Sequence, residues 1–142
     1  MELSCKTEYA LLALMALADG YGRDEPVQIS QIAQEQGIPD RYLEQLLATL
    51  RRGNLVRSQR GAKGGYFLAR SPWQINLLDV WACLEGTTPV TQPAATTPER
   101  AVIHHIWQEV QQATHAIWQK YTLKDLCQKR DSLRQRDLMY YI

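Results

Sequence analysis

VQISQIAQEQGIPDRYLEQLLATLRRGNLVRSQRGAKGGYFLAR, residues 27–70, reads as two short helices followed by a hairpin. Ser30 is placed to cap a first helix whose apolar positions are Ile32 and Ala33, and Gly37 to end it with positive φ. Pro39 suits the first turn of a second helix, where its missing N–H would be unpaired in any case. In that helix Tyr42, Leu43, Leu46, Leu47 and Leu50 recur at three- and four-residue spacing, which makes one buried stripe. Arg41, Glu44, Gln45, Ala48 and Arg52 fall mostly on the other side, and Gly53-Asn54 ends the helix. Leu55–Gln59 and Tyr66–Arg70 read as paired strands. The tip between them, Arg60-Gly61-Ala62-Lys63-Gly64-Gly65, carries three glycines and two cations and has no core to pack. Such a tip brings its backbone close to a partner, as a wing beside a DNA groove does.

Charge points the same way. Residues 39–70 hold seven basic side chains and two acidic ones, a local net of +5 in a chain whose formal net charge is +1. A basic face on a near-neutral protein is the footprint of phosphate binding. Arg41 and Gln45 stand near the start of the outward face of the second helix; Arg reads guanine O6/N7 and Gln reads adenine N6/N7. Glu44 is placed to accept from cytosine N4. Tyr42 divides evenly between a phosphate contact and a place in the core. Arg60, with Gly61 and Gly64 giving the tip its close approach, suits a narrow A·T minor groove. Arg52, Arg57 and Lys63 are phosphate candidates. Ser4 and Lys6 precede the first helix, whose amino end is placed to approach the DNA backbone.

These residues carry a family resemblance. Tyr42-Leu43-Glu44-Gln45-Leu46, Leu50-Arg51, Leu55-Val56, Arg60-Gly61 and Gly64-Gly65-Tyr66, with Leu3-Ser4-Cys5-Lys6-Thr7-Glu8-Tyr9-Ala10 at the amino end, resemble the IscR/NsrR (Rrf-two) family of bacterial transcription regulators. The match in motif covers residues 1 to about 88, and the rest matches in layout. The resemblance implies a homodimeric winged helix-turn-helix regulator, one whose relatives often sense iron–sulfur status, nitric oxide or redox state. It places a base-contacting Glu at Glu44. It also implies an iron–sulfur cluster held by three closely spaced cysteines in the segment 87–98, with an acidic ligand at the position of Glu8 in some relatives. That segment, TTPVTQPAATTP, contains no cysteine here, so no cofactor is expected.

The rest of the chain fits this frame. At 142 residues and 45% hydrophobic it suits one core with an appendage. Its three cysteines, 5, 83 and 127, are odd in number and far apart, which speaks against a disulfide framework and for a reducing cytoplasm. Tyr9 to Ala18 is an apolar run preceded by Glu2, Lys6 and Glu8, without the positive start of a leader and too short to span a bilayer. We read residues 4–19 as a helix buried nearly all round, one side on the winged-helix core and the other meeting a second element, from a partner subunit. Val27-Gln28-Ile29 is the small strand that pairs with the wing. Asn76 caps a helix Leu77–Glu85 with the stripe Leu77, Val80, Trp81 and Leu84, closed by Gly86. Three Pro and five Thr make 87–98 a linker.

A long helix from 99 to about 120 carries Val102, Ile106, Val110, Ala113, Ile117 and Tyr121 on one seam and Ile103, Trp107, Thr114 and Trp118 on a second. A stripe this wide needs an external surface, and Val102, Ile106, Trp107, Val110, Ile117 and Trp118 are the expected homodimer contacts. Thr122–Asp125 opens a last helix, about 123–136, with Leu123, Leu126, Arg130 and Leu133 on one side; the tail 137–142 docks or frays. The expected fold is mainly α with a β-hairpin wing: a winged helix-turn-helix domain over 1–86, the linker 87–98, and a helical dimerisation region over 99–142.

For metals the candidates are Cys5, Glu8, Cys83, His104, His105, His115 and Cys127. No pair of cysteines has ligand spacing, and His104 and His115 lie about 16 Å apart along a helix. His105 and Glu109 share i,i+4 spacing but make only a pair. No catalytic motif is present. The expected function is sequence-specific binding of double-stranded DNA by a homodimer on a pseudo-palindromic operator, as a repressor, with redox or iron–sulfur status as the implied signal and no membrane. The alternatives are an iron–sulfur or redox sensor with non-standard ligands, and a winged-helix interaction module without specific DNA binding.

Overall fold

The computed structural model describes residues 2–23, 25–86 and 97–140. Among these the chain forms α1 (Cys5–Asp19), α2 (Ile29–Gln36), α3 (Asp40–Arg52), β1 (Val56–Gln59), β2 (Gly65–Leu68), α4 (Leu77–Glu85), α5 (Pro98–Lys120) and α6 (Leu123–Tyr140). The order is that of a winged helix-turn-helix followed by two long helices.

The core lies between α1, α3 and α4. Ala10, Ala13, Leu14 and Leu17 of α1 meet Leu43, Leu46, Leu47 and Leu50 of α3, with Ile32, Ile38, Ile75 and Val80 closing the sides. Each fully buried Leu contributes about 1.5–3 kcal/mol. Ile38 lies in the turn between α2 and α3, and its burial pins that turn to the core. Gly37 ends α2 at φ 66, a left-handed conformation that favours glycine. Pro39 sits one residue outside the expected position, at the N-cap of α3.

Ser30 does not cap α2. The helix begins at Ile29, and Gln28 is the N-cap without a side-chain bond. Val27 explains the shift: its N–H donates to Tyr66 O (3.0 Å) and its carbonyl accepts from Tyr66 N (2.9 Å). The expected strand 27–29 is thus a single bridge, after which the chain turns at once into α2. The wing pairs Val56 with Leu68 and Gln59 with Gly65 in antiparallel register. Gly65 has no room for a side chain, since an added Cβ would lie 2.5 Å from Val27 O.

The helix α4 has the expected bounds, and Asn76 and Asp79 form a full capping box. The expected linker 87–98 lies outside the described residues as far as 96; Thr97 caps α5 and Pro98 is its first residue. The helices after it do not stand apart from the core. Leu77 N–H donates to Tyr121 O (3.0 Å) and Leu123 N–H to Ile75 O (2.8 Å), and Leu123 is fully buried. From there α6 lies across α1. Part of the second side of α1, expected to meet a partner subunit, carries this helix of the same chain, and Leu11, Leu12, Met15, Ala16 and Ala18 stay half-buried. Arg130 locks the crossing, donating to Asp19 Oδ2 (2.9 Å) and Oδ1 (2.7 Å). That pairing holds the guanidinium above its ordinary range. Beyond Arg130 the helix continues to Tyr140, four residues past the expected end at 136, and Leu133 is exposed rather than packed.

No residue of α5 is buried. Val102, Ile103, Ile106, Trp107 and Ile117 are all more than half exposed. Trp118 differs: it is half-buried beside α4 within its own chain.

Candidate nucleic-acid interface

The outward face of α3 is formed by Arg41, Glu44 and Gln45, all exposed. None of the three side chains has a hydrogen bond or ion pair among the described residues. Polar side chains on a rigid helix, with their donors and acceptors unspent, are what base-edge readout requires. Tyr42 sits at the edge of this face, half-buried, its ring 5.7 Å from that of Tyr9 in a T-shaped contact. This contact ties the start of α3 to α1.

The wing is held to α3 rather than hanging from it. Leu55 N–H donates to Leu50 O (3.0 Å), and Asn54 takes φ 60 to turn the chain out of the helix. Arg51 Nη1 donates to Ser58 Oγ (3.3 Å), so a cation of α3 is fastened to β1. Sequence reading counted Arg51 as charge only; its role depends on the angle between helix and strand, which no spacing reveals. At the tip Gly61 takes φ 115, and Gly64 N–H donates to Gly61 O (2.9 Å). Arg60 and Lys63 are exposed there. Arg57 lies on the outer face of the hairpin, its guanidinium 4.9 Å from the centre of the Phe67 ring. Arg52 donates to Thr49 Oγ1 (3.2 Å) at the last turn of α3.

The two amino-terminal candidates are engaged inside the chain. Ser4 Oγ accepts from Thr7 N–H (3.2 Å) and caps α1. Lys6 Nζ donates to Leu84 O (2.9 Å), where a cation suits the carboxyl end of α4.

Cys83 supports the interface from beneath. Its thiol donates to Thr49 O (3.4 Å), and burial pushes its pKa up. An added Cβ at Gly53 would land on the Cys83 sulfur, so the carboxyl end of α3 rests on this residue. Cys127 is half-buried with a thiol also raised by burial, whereas Cys5 is exposed. Glu8 and His105 are exposed, and the His115 ring packs 5.6 Å from Trp81. Among the described residues no three His, Cys, Asp or Glu side chains come together as a metal group. The segment 87–98 contains none of these residue types. With the thiol of Cys83 committed to a helix carbonyl as well, the residues present do not fit a cluster of the kind the resemblance implies.

Comparison with known proteins agrees with this architecture. Residues 3–129 match the Rrf2 family model, described as an iron-dependent transcriptional regulator. The chain is 34% identical over 142 residues, the whole of both chains, to the HTH-type transcriptional regulator CymR of Bacillus subtilis. The solved structure of CymR, the global cysteine regulator of B. subtilis, superposes with a TM-score of 0.77 at 33% identity, covering 91% of this chain and 98% of that one. T. potens IscR superposes with a TM-score of 0.75 at 35% identity, covering 92% and 88%. No described helix is long and apolar enough to cross a membrane. The chain belongs to the Rrf2 family and is a winged helix-turn-helix, DNA-binding transcriptional regulator.

Proposed function

We propose that the chain binds a pseudo-palindromic operator as a homodimer, with α3 of each copy in successive major grooves about 34 Å apart. Arg41, Glu44 and Gln45 read base edges, Arg60 enters the minor groove, and Arg52 and Lys63 hold phosphates. The observation that carries this reading is the unspent polar face of α3 beside a wing fastened to the same helix by Arg51 and Ser58. The apolar face of α5 supports the second copy. At 23 residues the helix is about 34 Å long and buries none of them within the chain. Its exposed Val102, Ile106, Trp107, Val110 and Ile117 form an apolar surface of the kind that marks an interface.

Arg41→Ala tests the reading. In fluorescence anisotropy against an operator and a scrambled duplex, affinity for the operator falls by roughly 1–3 kcal/mol. Affinity for the scrambled duplex falls much less. An unchanged ratio of the two affinities removes Arg41 from readout. Weak, salt-sensitive and sequence-independent binding by the unaltered chain favours the interaction-module reading instead.

A further inference from the structure

A cavity of about 380 Å³ opens between the amino end of α1, α4 and α5. Its size is that of a small-molecule site, about 300–1,000 Å³. Three of the chain's four tryptophans, Trp81, Trp107 and Trp118, line it, from two different helices. The other polar groups in its lining include Glu2, Glu85, Gln111 and His115, and no Lys or Arg is among them. Its hydroxyls are largely spent within the chain. Ser4 Oγ takes the Thr7 N–H, and Thr114 Oγ1 donates to Val110 O (2.9 Å). The nearby ammonium of Lys6 is turned to Leu84 O. What the cavity offers a guest is therefore indole surface, with the His115 ring packed on Trp81, and two carboxylates, of which Glu85 Oε1 accepts from Ser4 Oγ (3.5 Å). Indole faces attract cations through the ring quadrupole, and carboxylates add to that attraction. An anion finds no lysine or arginine in the lining to pair with.

We propose that this cavity is an effector site for a lipophilic organic cation. It is placed to influence both ends of the regulator. Thr7 in its wall belongs to α1 and Ser4 caps that helix, which holds α3 through Tyr9 and Tyr42. Trp107 and Val110 on its α5 side belong to the exposed apolar face, so a second copy seated there roofs the cavity. The inference stands apart from DNA recognition, because the lining described comes from one chain and binding is read without DNA.

The test is calorimetric titration of the full chain, free of DNA, with tetraphenylphosphonium and with tetraphenylborate. The two ions have the same shape and opposite charge. The proposal expects saturable binding of the phosphonium, one per chain, at least tenfold tighter than the borate. Glu2→Gln with Glu85→Gln, both at exposed positions, is expected to weaken the phosphonium roughly fivefold with no change in melting temperature. Borate binding as tight as phosphonium, no saturable phosphonium binding, or an affinity indifferent to the double substitution would each overturn the proposal.

Discussion

Gly53 and Cys83 meet where the recognition helix ends. Gly53 has φ −83, so its backbone accepts any residue; the obstacle to a side chain is the Cys83 sulfur. Gly53→Ala is therefore expected to cost about 1–3 kcal/mol through overpacking. Adding Cys83→Ala is expected to return most of that loss, which urea denaturation of the two single variants and the double variant measures. Strictly additive effects would show that the two residues do not touch. At the wing, Arg60→Ala is expected to weaken binding roughly tenfold to operators with an A·T-rich minor groove and to change G·C-rich sites little. Anisotropy on matched duplexes reads the difference, and equal losses on both would move Arg60 to a phosphate contact. Single residues were unevenly legible in the sequence. Gly37 declared its positive φ through its place between two apolar stripes. Cys83 did not declare its task, because that depends on α4 passing beneath the end of α3. Lys6 was placed where the amino end of α1 approaches the DNA backbone, and its bond to the carboxyl end of α4 has no signal in the local sequence.

Elements with a strong apolar period were legible. The stripe of α3 is buried at Leu43, Leu46, Leu47 and Leu50 as spacing predicts, and the Asn76 cap fixes the start of α4. Boundaries set by long-range pairing were not. The start of α2 follows from the bridge between Val27 and Tyr66, and local capping signals cannot see it. The same holds for α6, whose return across α1 depends on Arg130 reaching Asp19, 111 residues earlier. Its extension to Tyr140 has a local cause: residues 137–140 contain neither Gly nor Pro to stop a helix. The seams of α5 were visible as period, and within the chain Trp118 is intermediate in exposure where the other apolar residues of the seams expected at the interface are exposed. The free face makes a prediction. Ile106→Asp sets a charge in the proposed apolar interface and is expected to convert the proposed dimer to single chains in sedimentation velocity, while melting changes little because Ile106 is 53% exposed in the chain itself. A dimer that survives this substitution places the interface elsewhere.

The whole molecule divides its labour along its charge. Its formal net charge is +1, yet the segment that forms α3 and the wing carries a local net of +5. The remainder is consequently acidic, which directs nucleic acid to one face. A core shared by α1, α3, α4 and the first turn of α6 holds that face rigid, and α5 carries an apolar surface that suits a second copy. In the proposed homodimer, two rigid readers related by two-fold symmetry impose that symmetry on the DNA they select. Selection of random duplexes by the purified full chain, read by sequencing the bound fraction, measures this. The proposed homodimer predicts an enriched inverted repeat whose half-sites lie about one helical turn, or roughly 10 base pairs, apart. A bound pool no different from the starting pool, or one enriched in a single unrepeated half-site, would contradict it.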